Sequence, residues 1–392
     1  MKNKEYYRGF LMGAAVVLLL GCGGYYALGL QDSILSDPVF ISKLRYLEKL
    51  IDEYYLEEAA EETLEEGVYA GLLTGLSDPY SCYYTAEQYQ SEMAGTEGSY
   101  VGIGILMQKD PQGVLVVECY EGSSGEQAGL KAGDIIRSID GTDLTALDLE
   151  ETAALIRETE AKEVDLTIYR ESTQTEMQMT IPIRDVELKS VFPEMLTDTV
   201  GYIRISEFSG VTDRQYQTAF EELKEQGMEK LVVDLRDNPG GMLTSVCSIL
   251  DEILPEGLLV YTEDKYGNKE EIRSDSECPL SVPMAVLVNK GSASAAEIFA
   301  GAVQDYEAGV IVGMPTYGKG VVQSVRTLSD GSAVKLTVSR YYTPNGNDIH
   351  EVGITPDIKA EPDAALSGQQ KISHEEDVVL QEALKILEKT VG

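Results

Sequence analysis

The feature that most constrains the fold is an alternation of short apolar runs and amphipathic stretches, which begins near Val200. Runs such as "GYIRI" (201–205) and "MAVLVN" (284–289) have the length and composition of buried strands. Segments such as "QYQTAFEELKEQG" (215–227) have helical spacing. Strands that alternate with helices are typical of an α/β core, and we predict one in this part of the chain.

Residues 98–183 differ from the alternating region after Val200, because they contain short strands, a short helix and a final hairpin. The two strands of this hairpin are "EVDLTIYR" and "EMQMTIPI". With "AGLKAGDIIRSIDG" (128–141) before the hairpin, this order resembles a PDZ domain of the circularly permuted bacterial kind. The resemblance implies that Gly102–Ile103–Gly104–Ile105 is the loop that binds a peptide carboxylate. A loop or a bulge is the structural alternative for Gly-x-Gly.

The N-terminus carries an uncharged run of 22 residues, Gly9 to Leu30, which is long enough to span a bilayer. Lys2, Lys4 and Arg8 precede it, and this asymmetry predicts a cytoplasmic N-terminus and an extracytoplasmic remainder. A cleaved signal peptide is an alternative, and "LLGC" ending at Cys22 is similar to a lipoprotein signal. Because the apolar run continues beyond Cys22, we favour a retained anchor.

The net charge of −36 disfavours nucleic acid as a partner, because such a surface repels phosphates. The chain has only two histidines, His350 and His374, both in polar segments, and its five cysteines show no metal-type pairs. We predict no metal and no cofactor.

Ser294 follows the strand-like run at 284–288 and begins an amphipathic stretch. Ser294-Ala-Ala-Glu297 fits a capping box, which is a sufficient structural explanation, and Ser292 fits a turn. The small neighbours nevertheless leave room for a substrate, and a helix N-terminus favours negative charge. A nucleophilic serine would need a base.

The base that the sequence offers is Lys319 in "PTYGKGVVQ", with Gln323 four residues on as a neutral hydrogen-bond partner. Lysine can serve as a base where burial depresses its pKa. An exposed loop lysine is the local alternative. Upstream, "DLRDNPGG" (234–241) follows a strand, and its glycines can turn N–H groups toward an oxyanion or form only a tight turn.

In combination, "GSASAAEI", "GKGVVQ" and "DLRDNPGG" closely resemble the C-terminal processing peptidases, or tail-specific proteases, of the S41 family. "YYTPNGNDIHEVGITPDI" (341–358) resembles the closing signature of that family. The resemblance implies Ser294 as nucleophile, Lys319 as general base and Gln323 as the residue that positions the lysine. It places the oxyanion hole at the N–H of Ala295 and of Gly240 or Gly241.

The resemblance implies a multidomain α/β protein with a crotonase- or ClpP-like protease core and an inserted PDZ domain. We divide the chain into an anchor (1–31), a helical region (32–97), the PDZ domain (98–184), the protease core (185–362) and a C-terminal tail (363–392).

The predicted function is extracytoplasmic endopeptidase action on proteins with free apolar C-termini. The resemblance also suggests a homodimer through the N-terminal helices. Alternatives are a catalytically silent PDZ scaffold at the membrane and an acyl-CoA enzyme.

Overall fold

The computed structural model describes residues 33–157, 159, 161–275, 280, 282–362 and 373–389. The predicted anchor over residues 9–30 lies outside these ranges. Within them, no helix combines the length and apolar character that a bilayer span requires. The chain divides into two units, residues 1–77 and 78–392.

The first unit contains a short 3-10 turn at Ile34–Ser36 and two helices, α1 (Pro38–Tyr54) and α2 (Glu61–Thr74). Asp37 begins α1, since its carboxylate accepts the Val39 N–H at 2.8 Å and Pro38 occupies the first helical position. Neither helix contains a buried residue.

The second unit begins with β1 (Cys82–Tyr84) and α3 (Ala86–Glu97). A Thr85–Gln88 capping box starts α3 and left-handed Gly98 ends it. The sequence-based division places residues 86–97 with the N-terminal helices, whereas this helix lies in the second unit.

The PDZ-like part has an apolar core between one sheet and two helices, α4 (Ser124–Ala128) and α5 (Leu149–Arg157). The sheet order is β3-β4-β5-β7-β8, with β6 on β5, and β2 pairs with β9. The predicted hairpin is confirmed as β7 and β8. The strands are β2 (Ser99–Gly102), β3 (Ile105–Asp110), β4 (Gly113–Cys119), β5 (Asp134–Ile139), β6 (Thr142–Asp143), β7 (Glu163–Arg170), β8 (Thr175–Pro182) and β9 (Arg184–Glu187).

The predicted α/β core is confirmed as a sheet of order β10-β11-β12-β15-β16-β19, parallel from β11 onward. Its strands are β10 (Val191–Met195), β11 (Val200–Ile205), β12 (Lys230–Asp234), β15 (Met284–Val288), β16 (Val310–Gly313) and β19 (Ile358–Lys359). Both faces are covered, so β15 is apolar throughout and β12 is apolar between its terminal residues Lys230 and Asp234. The helices are α6 (Thr212–Glu225), α7 (Leu243–Ile253) and α8 (Ala295–Asp305) on one face and α9 (Val378–Lys389) on the other.

A second, antiparallel sheet runs β1-β18-β13-β14, and β17 also pairs with β18. It is built from β13 (Gly257–Asp264), β14 (Lys269–Ser274), β17 (Val321–Thr327) and β18 (Ala333–Tyr342) together with β1. This sheet brings β1 beside β18, about 250 residues away in sequence, with Cys82 opposite Lys335.

Arg236, at the end of β12, ties the C-terminal helix to the sheet. Its guanidinium contacts Asp234 at 2.6 Å and Asp377, just before α9, at 2.7 Å. Burial acts to raise the pKa of Asp377, but the hydrogen bond and charge of Arg236 outweigh it and lower that pKa. The network therefore fixes the strand end from which the next loop leaves.

Candidate active site

Two loops leave the carboxyl ends of the neighbouring parallel strands β12 and β15 and are joined side by side. The Ser292 hydroxyl, fully buried, donates to the Leu235 carbonyl at 2.7 Å, and the Ala293 N–H donates to the Asn238 carbonyl at 2.9 Å. The carboxyl ends of such strands are where α/β sheets bind ligands. The turn that the sequence predicts for Ser292 is present, since its N–H donates to the Asn289 carbonyl at 3.0 Å, and its hydroxyl also joins the two loops.

Ser294 begins α8 with φ +54° and ψ −116°, a conformation that non-glycine residues adopt rarely. Half of the predicted capping box is present: the Ser294 N–H donates to the Glu297 carboxylate at 2.9 Å, whereas the Glu297 N–H donates to the Ser294 carbonyl at 2.8 Å. The Ser294 side chain acts to lower the pKa of the Tyr341 phenol, against the larger effect of burial. The capping and nucleophile interpretations are thus compatible, because the carboxylate holds the backbone of Ser294.

Glu297 is a residue whose importance the sequence interpretation missed. Its carboxylate is fully buried and accepts from Thr316 Oγ1 at 2.6 Å, Gly318 N at 2.7 Å and Lys319 N at 2.8 Å, as well as from Ser294 N. One side chain therefore fixes both the serine and the loop that carries Lys319. Only the capping motif marked it in the sequence, because the three donors from the second loop are distant along the chain.

Lys319 is half-buried, and its Nζ lies 4.8 Å from the centre of the Tyr80 ring. Burial lowers the pKa of Lys319, and the charge of Lys335 adds to this effect. Three carboxylates oppose the shift, those of Glu297, Asp78 and Glu92. The net effect lowers the pKa of Lys319, which is the direction that a neutral lysine base requires.

Tyr341 holds the Lys319 loop from the opposite side. Its phenol donates to the Lys319 carbonyl, and its N–H donates to the Gly320 carbonyl at 3.1 Å. Burial raises the pKa of Tyr341 well above its usual value, so the phenol keeps its proton. The sequence interpretation missed this residue too, because it lies in a strand of the other sheet.

Gln323 lines the same cavity as Lys319, but its amide is directed elsewhere. Its Nε2 donates to the Val321 carbonyl at 3.3 Å and to Thr337 Oγ1 at 3.5 Å. Among the described residues, no hydrogen bond joins the Lys319 amine to Gln323 or to Ser294. The structure brings the three side chains to one cavity without aligning them.

The glycines of the "NPGG" loop approach Ser294 closely. Gly240 and Gly241 have φ +103° and +137°, and a Cβ on Gly240 would lie 2.6 Å from Ser294 Cβ. The Gly240 N–H donates to Asn238 Oδ1 at 2.8 Å, whereas the N–H groups of Gly241 and Ala295 have no acceptor among the described residues. Gly241 and Ala295 are thus the two free donors at the site, and Gly240 provides the space.

These groups surround a cavity of about 440 Å³. Ser294, Ala295, Gly241, Lys319 and Gln323 lie in its wall, which is completed by apolar side chains and by α3. Its other lining residues include Tyr89, Met93, Met242, Leu243, Ile298, Val321, Val322 and Val325. A cavity with a serine, a partly desolvated lysine and two free backbone donors can carry out acyl transfer.

Comparison with known proteins agrees with this geometry. A sequence profile of Peptidase family S41 matches residues 199–360, a PDZ domain profile matches 115–170, and an activating protease CtpB N-terminal domain profile matches 31–88. The carboxyl-terminal-processing protease of Synechocystis sp. is 36% identical over 322 residues, which are 81% of this chain and 75% of that protein. The chain belongs to the S41 family of C-terminal processing proteases.

A second relative accords with this assignment, and one solved structure is similar to the chain. The carboxy-terminal processing protease CtpA of Bacillus subtilis is 32% identical over 354 residues, 90% of this chain and 76% of that protein. The solved photosystem II D1 C-terminal processing protease aligns with 80% of this chain and 86% of its own, at 30% identity and a TM-score of 0.49. The S41 chain is accordingly a serine-type peptidase with a PDZ domain, which disfavours the silent scaffold and the acyl-CoA enzyme.

The PDZ domain of this S41 peptidase has a second cavity, of about 690 Å³, at the predicted carboxylate loop. Gly102, Ile103, Gly104 and Ile105 all line it, and Gly104 has φ +75°. Strand β3, which follows the loop, is an edge strand of its sheet and leaves room for an added strand. The loop prediction and the groove therefore coincide.

Helix α3 of the S41 peptidase contributes to both cavities. Tyr89 and Met93 lie in the wall of the PDZ groove and in the wall of the Ser294 cavity. The sequence interpretation assigned no chemistry to residues 86–97, because the abundance of Tyr and Glu in the N-terminal region indicates only a packed helical layer.

Proposed function

We propose that Ser294 and Lys319 form a catalytic dyad that hydrolyses peptide bonds in proteins whose free apolar C-terminus binds in the PDZ groove. The observation that carries the proposal is the single cavity that contains Ser294, Lys319 and the free N–H groups of Gly241 and Ala295. The printed names of the relatives, which are C-terminal processing proteases, support the same substrate class.

In the proposed reaction, Ser294 Oγ attacks the scissile carbonyl while its proton passes to the Lys319 amine. The oxyanion that develops accepts hydrogen bonds from the N–H groups of Gly241 and Ala295. Lys319 then returns the proton to the leaving amine, and water hydrolyses the acyl-enzyme by the same route. Each step needs only groups in the cavity wall.

For the first step, Lys319 Nζ has to turn from the Tyr80 ring toward Ser294. The ring face favours the protonated amine, whereas burial favours the neutral amine. We propose that a substrate strand in the cavity excludes water and favours the neutral form. Gln323, which donates to Val321 and Thr337 here, would receive the amine on turning.

The location of the enzyme is part of the same proposal. We propose that residues 9–30 anchor the chain, that its catalytic part is extracytoplasmic and that its PDZ domain is of the circularly permuted kind. The basic residues Lys2, Lys4 and Arg8 before an uncharged run support the orientation. A homodimer through the N-terminal helices is proposed from the family resemblance and the exposed apolar side chains of α1.

Tail recognition predicts that a free C-terminal carboxylate is required. We expect amidation of an unstructured substrate with an apolar tail to lower kcat/KM by about 10- to 100-fold, since a hydrogen bond to a charged group contributes about 1.5–3 kcal/mol. Parallel assays of the free-acid and amidated forms with the full chain measure the ratio.

The matched control compares two glycines. A Cβ on Gly104 would lie 2.2 Å from Ser123 Cβ, whereas one on Gly122 meets nothing within 4 Å, at nearly the same φ. Gly104→Ala should abolish the preference for the free acid, and Gly122→Ala should keep it. Equal cleavage of the two substrates by the parent enzyme contradicts tail recognition.

A further inference from the structure

A second lysine, Lys335, lies in the wall of the cavity that contains Ser294 and Lys319. It belongs to β18, between Cys82 of β1 and Val325 of β17, and its side chain is 26% exposed. The same wall holds the charged side chains of Lys319 and Glu92 beside a set of apolar side chains. Partial burial of a charge is unfavourable unless the charge is paired.

Two neighbours hold the Lys335 amine in place. Its Nζ donates to Glu92 Oε1 of α3 at 2.9 Å and to the Tyr84 phenol of β1 at 3.1 Å. The Tyr84 phenol in turn donates to the same Glu92 oxygen at 3.1 Å. Strand β1 and helix α3, which follow one another in sequence, thus fix one positive charge of the distant strand β18 in the cavity.

This arrangement keeps Lys335 charged. Burial acts to lower the pKa of Lys335, but the hydrogen bonds with Glu92 and Tyr84 outweigh it and the pKa lies above its ordinary value. Within the part of the chain that the structure describes, the Lys319 amine has no such hydrogen-bond partner, and its Nζ lies over the Tyr80 ring. When two amines share a cavity and only one is paired, the unpaired amine loses its proton first.

The charges that face Lys319 come from three elements and one loop. Lys335 on β18 opposes protonation, while Glu297 on α8, Asp78 before β1 and Glu92 on α3 favour it. Glu297 accepts four hydrogen bonds and Glu92 is paired with Lys335, so both carboxylates are engaged elsewhere. A cationic neighbour is an established means of obtaining a neutral lysine.

We propose that Lys335 is a positioning residue for the reaction: its fixed positive charge, held by Glu92 and Tyr84, keeps the Lys319 amine free to accept the Ser294 proton near neutral pH. The inference rests on the proposed dyad. Glu92 holds Lys335 in place, but its own negative charge acts on Lys319 with the sign opposite to that of Lys335.

The test is the pH dependence of kcat/KM for peptide hydrolysis by the full chain. On the acid side kcat/KM falls as Lys319 becomes protonated, and this part of the profile is the acid limb. Lys335→Gln removes the positive charge, and we expect the acid limb to move up by about one pH unit, a typical effect of one neighbouring charge. Below that limb, the rate then falls about tenfold relative to the parent.

Two further variants make the test specific. Glu92→Gln removes a negative charge and should move the acid limb down, whereas Lys335→Arg keeps the charge and should leave the limb within a few tenths of a unit of the parent. A merely structural role predicts lower kcat without opposite displacements. An unmoved limb in Lys335→Gln, or displacements of the same sign in Lys335→Gln and Glu92→Gln, would overturn the inference.

Failure of the dyad itself has a different signature. If Lys319→Met retains hydrolysis with the same acid limb, Lys319 is not the base and the proposed function fails. If Lys319→Met is inactive while Lys335→Gln has the parental limb, the dyad stands and only the role of Lys335 is wrong. Should Lys335→Gln fail to fold, Glu92→Gln decides alone, because the inference requires the acid limb of its kcat/KM profile to move to lower pH.

Discussion

Ser294→Ala should abolish peptide hydrolysis, with kcat/KM lower by at least about 10⁴-fold, because loss of a nucleophile leaves only binding and oxyanion stabilisation. The variant should fold, since the Glu297 bond at this position is made by the Ser294 backbone N–H. Initial rates on an unstructured protein with an apolar free C-terminus, compared with the parent, measure the loss.

The control is the serine two positions earlier. The Ser292 hydroxyl is buried and bonds to the Leu235 carbonyl and the Asn289 N–H, so its loss affects the joined loops. Ser292→Ala should lower the free energy of unfolding by about 1–3 kcal/mol while its kcat/KM stays within a few-fold of the parent. Substantial hydrolysis by Ser294→Ala would show that Ser294 is only the start of a helix.

Lys319→Arg should lower kcat/KM by at least about 10³-fold at every pH, since a guanidinium cannot give up its proton and so cannot act as a base. Lys319→Met, of similar length and without charge, should show the same loss. Both losses are expected because burial lowers the pKa of the Lys319 amine, which makes the neutral amine available as a base. Hydrolysis measured from acid to alkaline pH distinguishes a missing base from a displaced optimum.

The parent enzyme should lose activity on the acid side, because the protonated amine has no lone pair to accept the serine proton. The control is Lys290, an exposed lysine in the loop before Ser294. Lys290→Met should hydrolyse as the parent does. A Lys319→Met enzyme with more than a tenth of the parental kcat/KM would contradict the assignment.

The sequence predicts the parts of the site that lie at the ends of parallel strands. The order of strands and helices after Val200 indicates an α/β sheet, and β12 and β15 are adjacent in it, so the "NPGG" loop and Ser294 meet. Residues at strand ends can be placed in this way because parallel strands end at the same edge.

The remaining parts depend on packing between separate sheets, which has no local signature. The pairing of β1 with β18 brings Tyr80 and Tyr84 near Lys319, whereas the pairing of β17 with β18 brings Lys335 and Tyr341 there. The prediction for Gln323 rests on spacing along one strand, whereas its amide bonds to Val321 and Thr337.

The most direct test of the central claim, that Ser294 is a nucleophile activated by Lys319, is covalent labelling of the full chain with a fluorophosphonate, followed by peptide mapping by mass spectrometry. The account predicts one adduct, on Ser294, with a labelling rate that rises with pH along the same limb as kcat/KM and falls strongly in Lys319→Met. An adduct at another residue, or no adduct in a preparation that hydrolyses its substrate, would contradict it.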